Sequence, residues 1–240
     1  MNKNVLILGA NSDIAKACAL LFNQKGFSIT LASRDIEALR TFNTQEKLNA
    51  DITFFDALDF ISHPSFYQSL TIRPDVVICA FGYLTENMNA FTHFEEAEKV
   101  MDTNFKGAVS ILNLISQDMK ERKEGCIIGM SSVAADRGRA SNLIYSAAKA
   151  GFDAYLSGLR NMMNPYGVKV ITIKPGFVAT KMIAQHPTPS FLTSSPQALA
   201  LKIYRTYQQN RNIVYSNIKW RTIMLVIQSI PERIFKKLKL

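Results

Sequence analysis

Three side chains near the middle of the chain have the chemistry to handle a proton together: Ser132, Tyr145 and Lys149. Tyr145 and Lys149 stand four positions apart, and on a helix such positions share one face. That face sets a phenol beside an ammonium. A neighbouring positive charge favours the phenolate and draws the tyrosine pKa toward neutrality. A phenol tuned in this way gives or takes a proton at a carbonyl or alcohol oxygen. The Ser132 hydroxyl, thirteen positions before the tyrosine, can hold the same oxygen. This equipment suits the interconversion of a ketone and an alcohol, and it needs a hydride carrier.

The N-terminus offers a place for that carrier. Residues 4–8 (Asn-Val-Leu-Ile-Leu) are a short apolar run suited to a buried parallel strand. Gly9-Ala10-Asn11-Ser12-Asp13-Ile14-Ala15 follows and opens an apolar helical stretch that Gly26 stops. Strand, tight turn and helix N-terminus form a phosphate cradle, with free backbone N–H groups at a positive dipole end. The expected contacts are Gly9, Asn11, Ser12, Asp13 and Ile14. Of the usual three glycines only Gly9 is present, and Asp13 and Ala15 occupy the other two places. The Asp13 carboxylate must therefore turn away from the anion or cap the helix. An ordinary strand-to-helix turn fits this segment as well as a dinucleotide site does.

The next strand, 28–32, ends in Ser33-Arg34-Asp35. An acid at this point binds a ribose 2′-hydroxyl, and an arginine accommodates a 2′-phosphate. Arg34 favours NADP(H) over NAD(H), while Asp35 keeps NAD(H) open. The alternative is a solvated Arg34 and an Asp35 that starts a helix.

These residues need a frame. Further strands are expected at 52–55, 76–80, 126–130, 168–174 and 213–215, with helices near 36–47, 59–70, 94–121, 145–163, 196–208 and 217–229. Such alternation gives an α/β protein whose parallel sheet is covered on both faces, with ligands beyond the carboxyl ends of the strands. At 240 residues and 48% hydrophobic, without repeats or linkers, residues 1–240 read as one domain. The N-terminus runs straight into a strand, so no signal peptide is expected. No apolar stretch is long enough to span a bilayer. Cys18, Cys79 and Cys126 are scattered in apolar segments. They read as reduced core thiols of a cytoplasmic protein. No metal site is expected.

Gly9, Asn104-x-x-Gly107, Ser131-Ser132, Tyr145-x-x-x-Lys149 and Pro175-Gly176-x-x-x-Thr180 fall in one order and spacing. In this the chain resembles the short-chain dehydrogenase/reductases over essentially its whole length. The resemblance implies a Rossmann-type doubly wound sheet of about seven strands. It makes Tyr145 the general acid/base, Lys149 the ribose ligand that lowers the Tyr145 pKa, and Ser132 the substrate-oxygen ligand. Asn104 would hold a relay water, and Asp56 would contact adenine. Pro175, Gly176, Val178 and Thr180 would orient the nicotinamide. From the residues alone, Asn104 is equally a helix kink, Asp56 a helix cap and Thr180 a loop hydroxyl. The family's Asn-Asn-Ala-Gly is here Cys79-Ala80-Phe81-Gly82. Gly82 still permits a close backbone approach, and Ala80 and Gly82 stay in the expected cofactor set.

Other stretches are similar to one subgroup, the decaprenylphosphoryl-2-keto-pentose reductases: 8–15, Phe55-Asp56-Ala57-Leu58-Asp59, Ser62-His63-Pro64, Ala80-Phe81-Gly82 and 230–238. That resemblance implies reduction of a keto sugar on a polyprenyl phosphate in cell-envelope glycan synthesis. It also implies a flavin-dependent oxidase as partner.

The net charge is +9 and the C-terminus is rich in Lys and Arg. Trp220, Ile223, Met224 and Ile227 form one apolar helical face. Residues 217–240 thus read as a basic amphipathic segment for the inner face of the plasma membrane. The competing reading is a core or subunit-interface helix, since the family forms homo-oligomers. Nucleic acid is not an expected partner, because no recognition motif accompanies the charge. The loop 181–194, with His186, is expected to cover the substrate. Arg137 and Arg139 could meet a substrate phosphate, although such arginines are more often solvated. The rival functions are a general ketone or acyl reductase and a non-catalytic nucleotide-binding regulator.

Overall fold

The computed structural model describes residues 3–184, 188–209 and 211–238. Strand β1 (Asn4–Leu8) is buried along its whole length, as an unbroken apolar run must be when both sheet faces are covered. Its side chains alternate. Val5 and Ile7 join one core with Phe22, Ile78 and Ile203, whereas Leu6 and Leu8 join another with Ile111, Phe152 and Leu156.

Helix α1 (Asp13–Gln24) starts at Ser12, whose hydroxyl accepts from the Ala15 amide at 3.2 Å. β2 (Ser28–Ser33), α2 (Ile36–Glu46), β3 (Asp51–Phe54), α3 (His63–Ser69) and β4 (Val76–Cys79) follow. Next come α4 (Asn87–Thr92), α5 (Phe94–Met101), a π-helical segment (Asp102–Lys106) and α6 (Gly107–Arg122). The chain continues with β5 (Cys126–Met130), α7 (Leu143–Met163), β6 (Lys169–Lys174), α8 (Pro196–Gln209) and β7 (Ile213–Tyr215). It closes with α9 (Ile218–Ser229) and α10 (Glu232–Phe235).

The seven strands are all parallel in the order β3-β2-β1-β4-β5-β6-β7. The winding reverses between β1 and β4, which opens a crevice at their carboxyl ends. This is the expected Rossmann-type doubly wound sheet.

The single helix expected at 94–121 is interrupted. The Asn104 amide donates to the Val100 carbonyl (2.9 Å), and a Cβ on Gly107 would lie 2.3 Å from the Ala57 carbonyl oxygen. The π-segment Asp102–Lys106 lies between these two contacts, and the missing Cβ of Gly107 admits the Ala57 carbonyl. Helix α4 was not expected, and α3 begins only at His63 because Asp59 and Ser62 form a turn first. The three cysteines are buried and free, and burial pushes their thiols up to about 12. Among the described residues no helix is long and apolar enough to cross a membrane.

Candidate active site

A cavity of about 590 Å³ lies over the carboxyl ends of β1, β4, β5 and β6. Ser132, Tyr145 and Lys149 all line it. Ser132 leaves β5 in extended conformation and caps a short turn, its Oγ accepting from the Ala134 amide at 3.1 Å. Tyr145 sits in the first turn of α7 and Lys149 one turn later. Lys149 Nζ donates to the Met130 carbonyl at 2.9 Å and stands 5.8 Å from the Tyr145 ring centre.

The electrostatics correct one expectation. Lys149 does not draw the phenol toward neutrality here. Burial pushes Tyr145 up to about 12, against a smaller lowering by its bond with Ser132. Burial brings Lys149 down to about 8. Desolvation opposes the charged form of both groups, and one of the Lys149 donors is held by the Met130 carbonyl.

Asn104 does not line this cavity among the described residues. It lies behind Gly82, where a Cβ would stand 2.9 Å from Asn104 Oδ1 and 3.6 Å from Lys149 Nζ. Its amide donates to the Tyr83 carbonyl (2.6 Å) and its Oδ1 accepts from the Tyr83 amide (3.3 Å). In this structure Asn104 braces the loop after β4 and marks the π-segment, so its hydrogen bonds serve protein groups rather than an expected relay water.

The turn after β1 is built on Gly9. Its φ of +77° is left-handed, and a Cβ there would lie 2.6 Å from the Phe81 backbone and side chain. Asn11 ties the turn to β2 by donating to Ser33 Oγ and to the Asp35 carbonyl, both at 2.8 Å. Asp13 turns away and accepts from the Lys181 amide at 2.8 Å. The amides of Asn11, Asp13 and Ile14 donate to no protein acceptor among the described residues. They stand at the positive end of α1 beside the cavity, and they fit the diphosphate of a dinucleotide.

Asp35 caps α2, accepting from the Ala38 amide at 3.0 Å. Its carboxylate is therefore engaged, while exposed Arg34 has no side-chain partner among the described residues. This is the alternative arrangement, an exposed arginine and an aspartate that starts the helix. Asn11, Ser12, Asp13, Ile14, Ala80, Gly82, Pro175, Gly176, Val178 and Thr180 line the cavity, whereas Gly9, Arg34 and Asp56 do not. Asp56 Oδ1 closes a turn by accepting from the Leu58 amide at 3.0 Å, so it is neither in the cavity wall nor a helix cap.

Trp220 is a wall of the site that no sequence signal marked. Its ring packs where a Cβ on Gly176 would lie 2.0 Å from Nε1, and that Nε1 donates to the Leu192 carbonyl at 2.9 Å. Gly176 is thus small to admit Trp220. The apolar face of Trp220, Ile223, Met224 and Ile227 packs on Val133, Phe177, Leu192 and Tyr215. That face is covered by the chain itself, which corrects its reading as a membrane-facing surface.

Arg137 is neither solvated nor in the cavity. It donates to the carbonyls of Ile227 (2.6 Å), Gln228 (3.3 Å) and Ile230 (2.6 Å), pairs with Glu232 (2.9 Å) and stacks on Phe235. It holds the end of α9, where helical carbonyls lack partners. Arg139 does line the cavity, as do Lys181, Met182, Ile183 and Thr188 of the loop expected to cover the substrate. His186 lies outside the described residues.

An uncharacterized oxidoreductase of Mycobacterium tuberculosis is 27% identical over 241 aligned positions, covering 98% of this chain and 96% of that protein. One from Streptomyces coelicolor is 28% identical over 242 positions, with the same coverage. The fold is that of a Burkholderia cenocepacia short-chain dehydrogenase solved with NADP (TM-score 0.86, 17% identity, 100% of this chain and 98% of that one). It is shared by a Sphingobium yanoikuyae short-chain dehydrogenase solved with NADPH (TM-score 0.80, 17% identity, 96% and 97%). Residues 3–189, from the first strand through the loop beyond Thr180, match the short chain dehydrogenase family, and the chain belongs to that family of oxidoreductases.

Proposed function

We propose that the protein is an NADP(H)-dependent reductase of a keto group. The observation that carries this is the meeting of Ser132, Tyr145 and Lys149 with the α1 N-terminus in one cavity. When bound, the dinucleotide supplies a hydride. The free amides of the β1–α1 turn bind its diphosphate, and Arg34 takes the 2′-phosphate. Ala80 and Gly82 line the space for it, and Gly9 shapes the turn behind them, while Asp56 stands outside the wall as the residue assigned to adenine by the family resemblance. Pro175, Gly176, Val178 and Thr180 orient the nicotinamide end, and Lys149 binds the ribose.

Ser132 hydrogen-bonds the keto oxygen, and Tyr145 gives that oxygen its proton. A phenol held near 12 stays protonated at neutral pH, which is the form an acid needs. Asn104 fixes the loop that carries Gly82 and so positions the site without touching the proton. The NADP-bound and NADPH-bound neighbours support the cofactor preference. A purely nucleotide-binding regulator has no use for this complete proton-handling set.

For the substrate we favour the 2-keto pentose of a polyprenyl phosphate, supplied by a flavin-dependent oxidase. The subgroup resemblance supports this, as do the apolar walls Leu84, Ile144, Met182 and Trp220. The outer side of the tail exposes Ile218, Leu225, Val226 and Ile234 beside Lys219, Arg221 and Arg233. That mixture suits contact with an anionic membrane surface, different from the covered face described above.

The test is NADPH oxidation with a polyprenyl-phosphate keto-pentose beside a panel of small ketones. Turnover of the lipid substrate supports the full reading. Turnover of small ketones alone leaves the reductase and discards the lipid. Turnover of neither overturns the reductase.

A further inference from the structure

Arg139 and Arg137 are two positions apart and have opposite fates. Arg137 is saturated by three carbonyls, a carboxylate and an aromatic ring. Arg139 lines the cavity, and its Nε is buried with no hydrogen-bond partner among the described residues. An unpaired buried donor is uncommon and calls for an explanation.

The neighbouring groups do not supply one. Asp136 is committed to Lys174 (2.5 Å) and Tyr215 (2.9 Å). Asp13 is at the cofactor turn and accepts from Lys181. Glu86, the other acid in the wall, is exposed. Lys149 donates to Met130 and, on the reductase reading, to the cofactor ribose. Burial holds the Arg139 guanidinium below its ordinary range, with Asp136 acting against this.

The stretch carrying Arg139 runs from Ser132 to Tyr145, so it borders the same space as the proton-handling pair. The wall combines apolar Leu84, Ile144, Met182, Ile183 and Trp220 with polar Asn87, Ser141 and Asn142, and its other cation on the substrate side, Lys181, is exposed. A single cationic fork in such a wall sets orientation as well as affinity. We propose that Arg139 is the recognition point for an anionic group, phosphate or carboxylate, carried by the keto substrate. This rests on the reductase reading and adds the chemical class of the substrate. Guanidinium Nε–H and Nη–H present two parallel donors to two oxygens of such a group. A lysine offers charge without that fork.

The experiment uses matched probes with NADPH: a 2-keto acid and its methyl ester, and a keto-pentose phosphate and the free keto-pentose. A prenyl-phosphate keto-pentose and its uncharged prenyl glycoside complete the set. Wild type should prefer the anionic member of one pair. Arg139→Gln should cut that preference by about 100-fold, in KM more than in kcat, and Arg139→Lys should restore part of it. The responding pair identifies the anion as carboxylate, phosphate monoester or lipid phosphodiester. Equal preference in wild type, an equal loss on both members, or a loss of NADPH affinity in Arg139→Gln would overturn the proposal.

Calorimetric titration with keto-pentose phosphate and prenyl phosphate, on variants whose melting matches wild type, separates the two readings. If no ketone is turned over but anion binding vanishes in Arg139→Gln, the reductase reading falls and the anion site stands. Binding that is undiminished in the variant, or absent from wild type, removes the anion site.

Discussion

The two ends of the cavity are built by different means. The cofactor end is backbone. Its parts are a left-handed Gly9 against Phe81, free amides on α1 and a bare Gly82. Its side chains mostly face inward to the protein, with Asn11 bracing β2 and Asp13 holding Lys181. The substrate end is side chain: Arg139, Met182, Ile183 and Trp220, drawn from loops and from a helix far along the sequence. A backbone site of this kind leaves little room for change, because an added side chain meets the packed backbone. A side-chain site leaves its ligand free to vary while the fold stays fixed.

That contrast can be tested, beginning at the chemistry between the two ends. Tyr145→Phe should lower kcat about 1000-fold while NADPH binding, read by fluorescence titration, stays at wild-type strength. A variant turning over near the wild-type rate would remove Tyr145 as the acid.

The pH profile comes next. Lys149 is charged below about 8, so kcat/KM for reduction should be flat below that pH. It should fall roughly tenfold per pH unit above it as the ammonium is lost. Tyr145, held near 12, adds no inflection in this range. Lys149→Met should abolish the inflection along with most of the activity. An inflection that survives in Lys149→Met would belong to another group.

Gly9→Ala and Trp220→Ala set one end against the other. Gly9→Ala forces a strained φ and a contact with Phe81, and should weaken NADPH binding roughly tenfold. Trp220→Ala should raise the ketone KM by a comparable factor and leave NADPH affinity in place. If each variant changed both constants equally, the two ends would be one mechanical unit.

The smallest effect is expected at the tail. Arg137→Ala frees the end of α9 and should lower Tm by about 2–4 °C. Limited proteolysis should then cut near Ile230, where wild type resists.

Much of this was legible in the sequence where a backbone demand fixes a residue type at a fixed spacing. β1, the turn at Gly9 and the Tyr145–Lys149 pair on α7 are local, and each can be read within a dozen residues. The interruption at Asp102–Lys106 was legible as the kink reading of Asn104, whereas the close approach of the Ala57 carbonyl to Gly107 was not, because the two are far apart in sequence. Arg137 and Arg139 looked alike as residues. Only the packing of α9 decides that one is a structural clamp and the other faces the cavity. The amphipathic face of α9 was recognised, but amphipathicity does not say what covers it, and here it is Val133 and Phe177. The pKa of Tyr145 was misjudged for a related reason. Spacing gives the charge beside the phenol but not the depth at which both are buried.

Trp220 is also the last cavity residue in chain order. During synthesis the sheet strands β1 to β6 and the cofactor turn emerge from the ribosome first, with the proton-handling residues already among them. The wall that shapes the substrate space is therefore the last part of the site to be synthesised, and a chain that stops shortly before Trp220 would lack that wall and the cover over Val133 and Phe177.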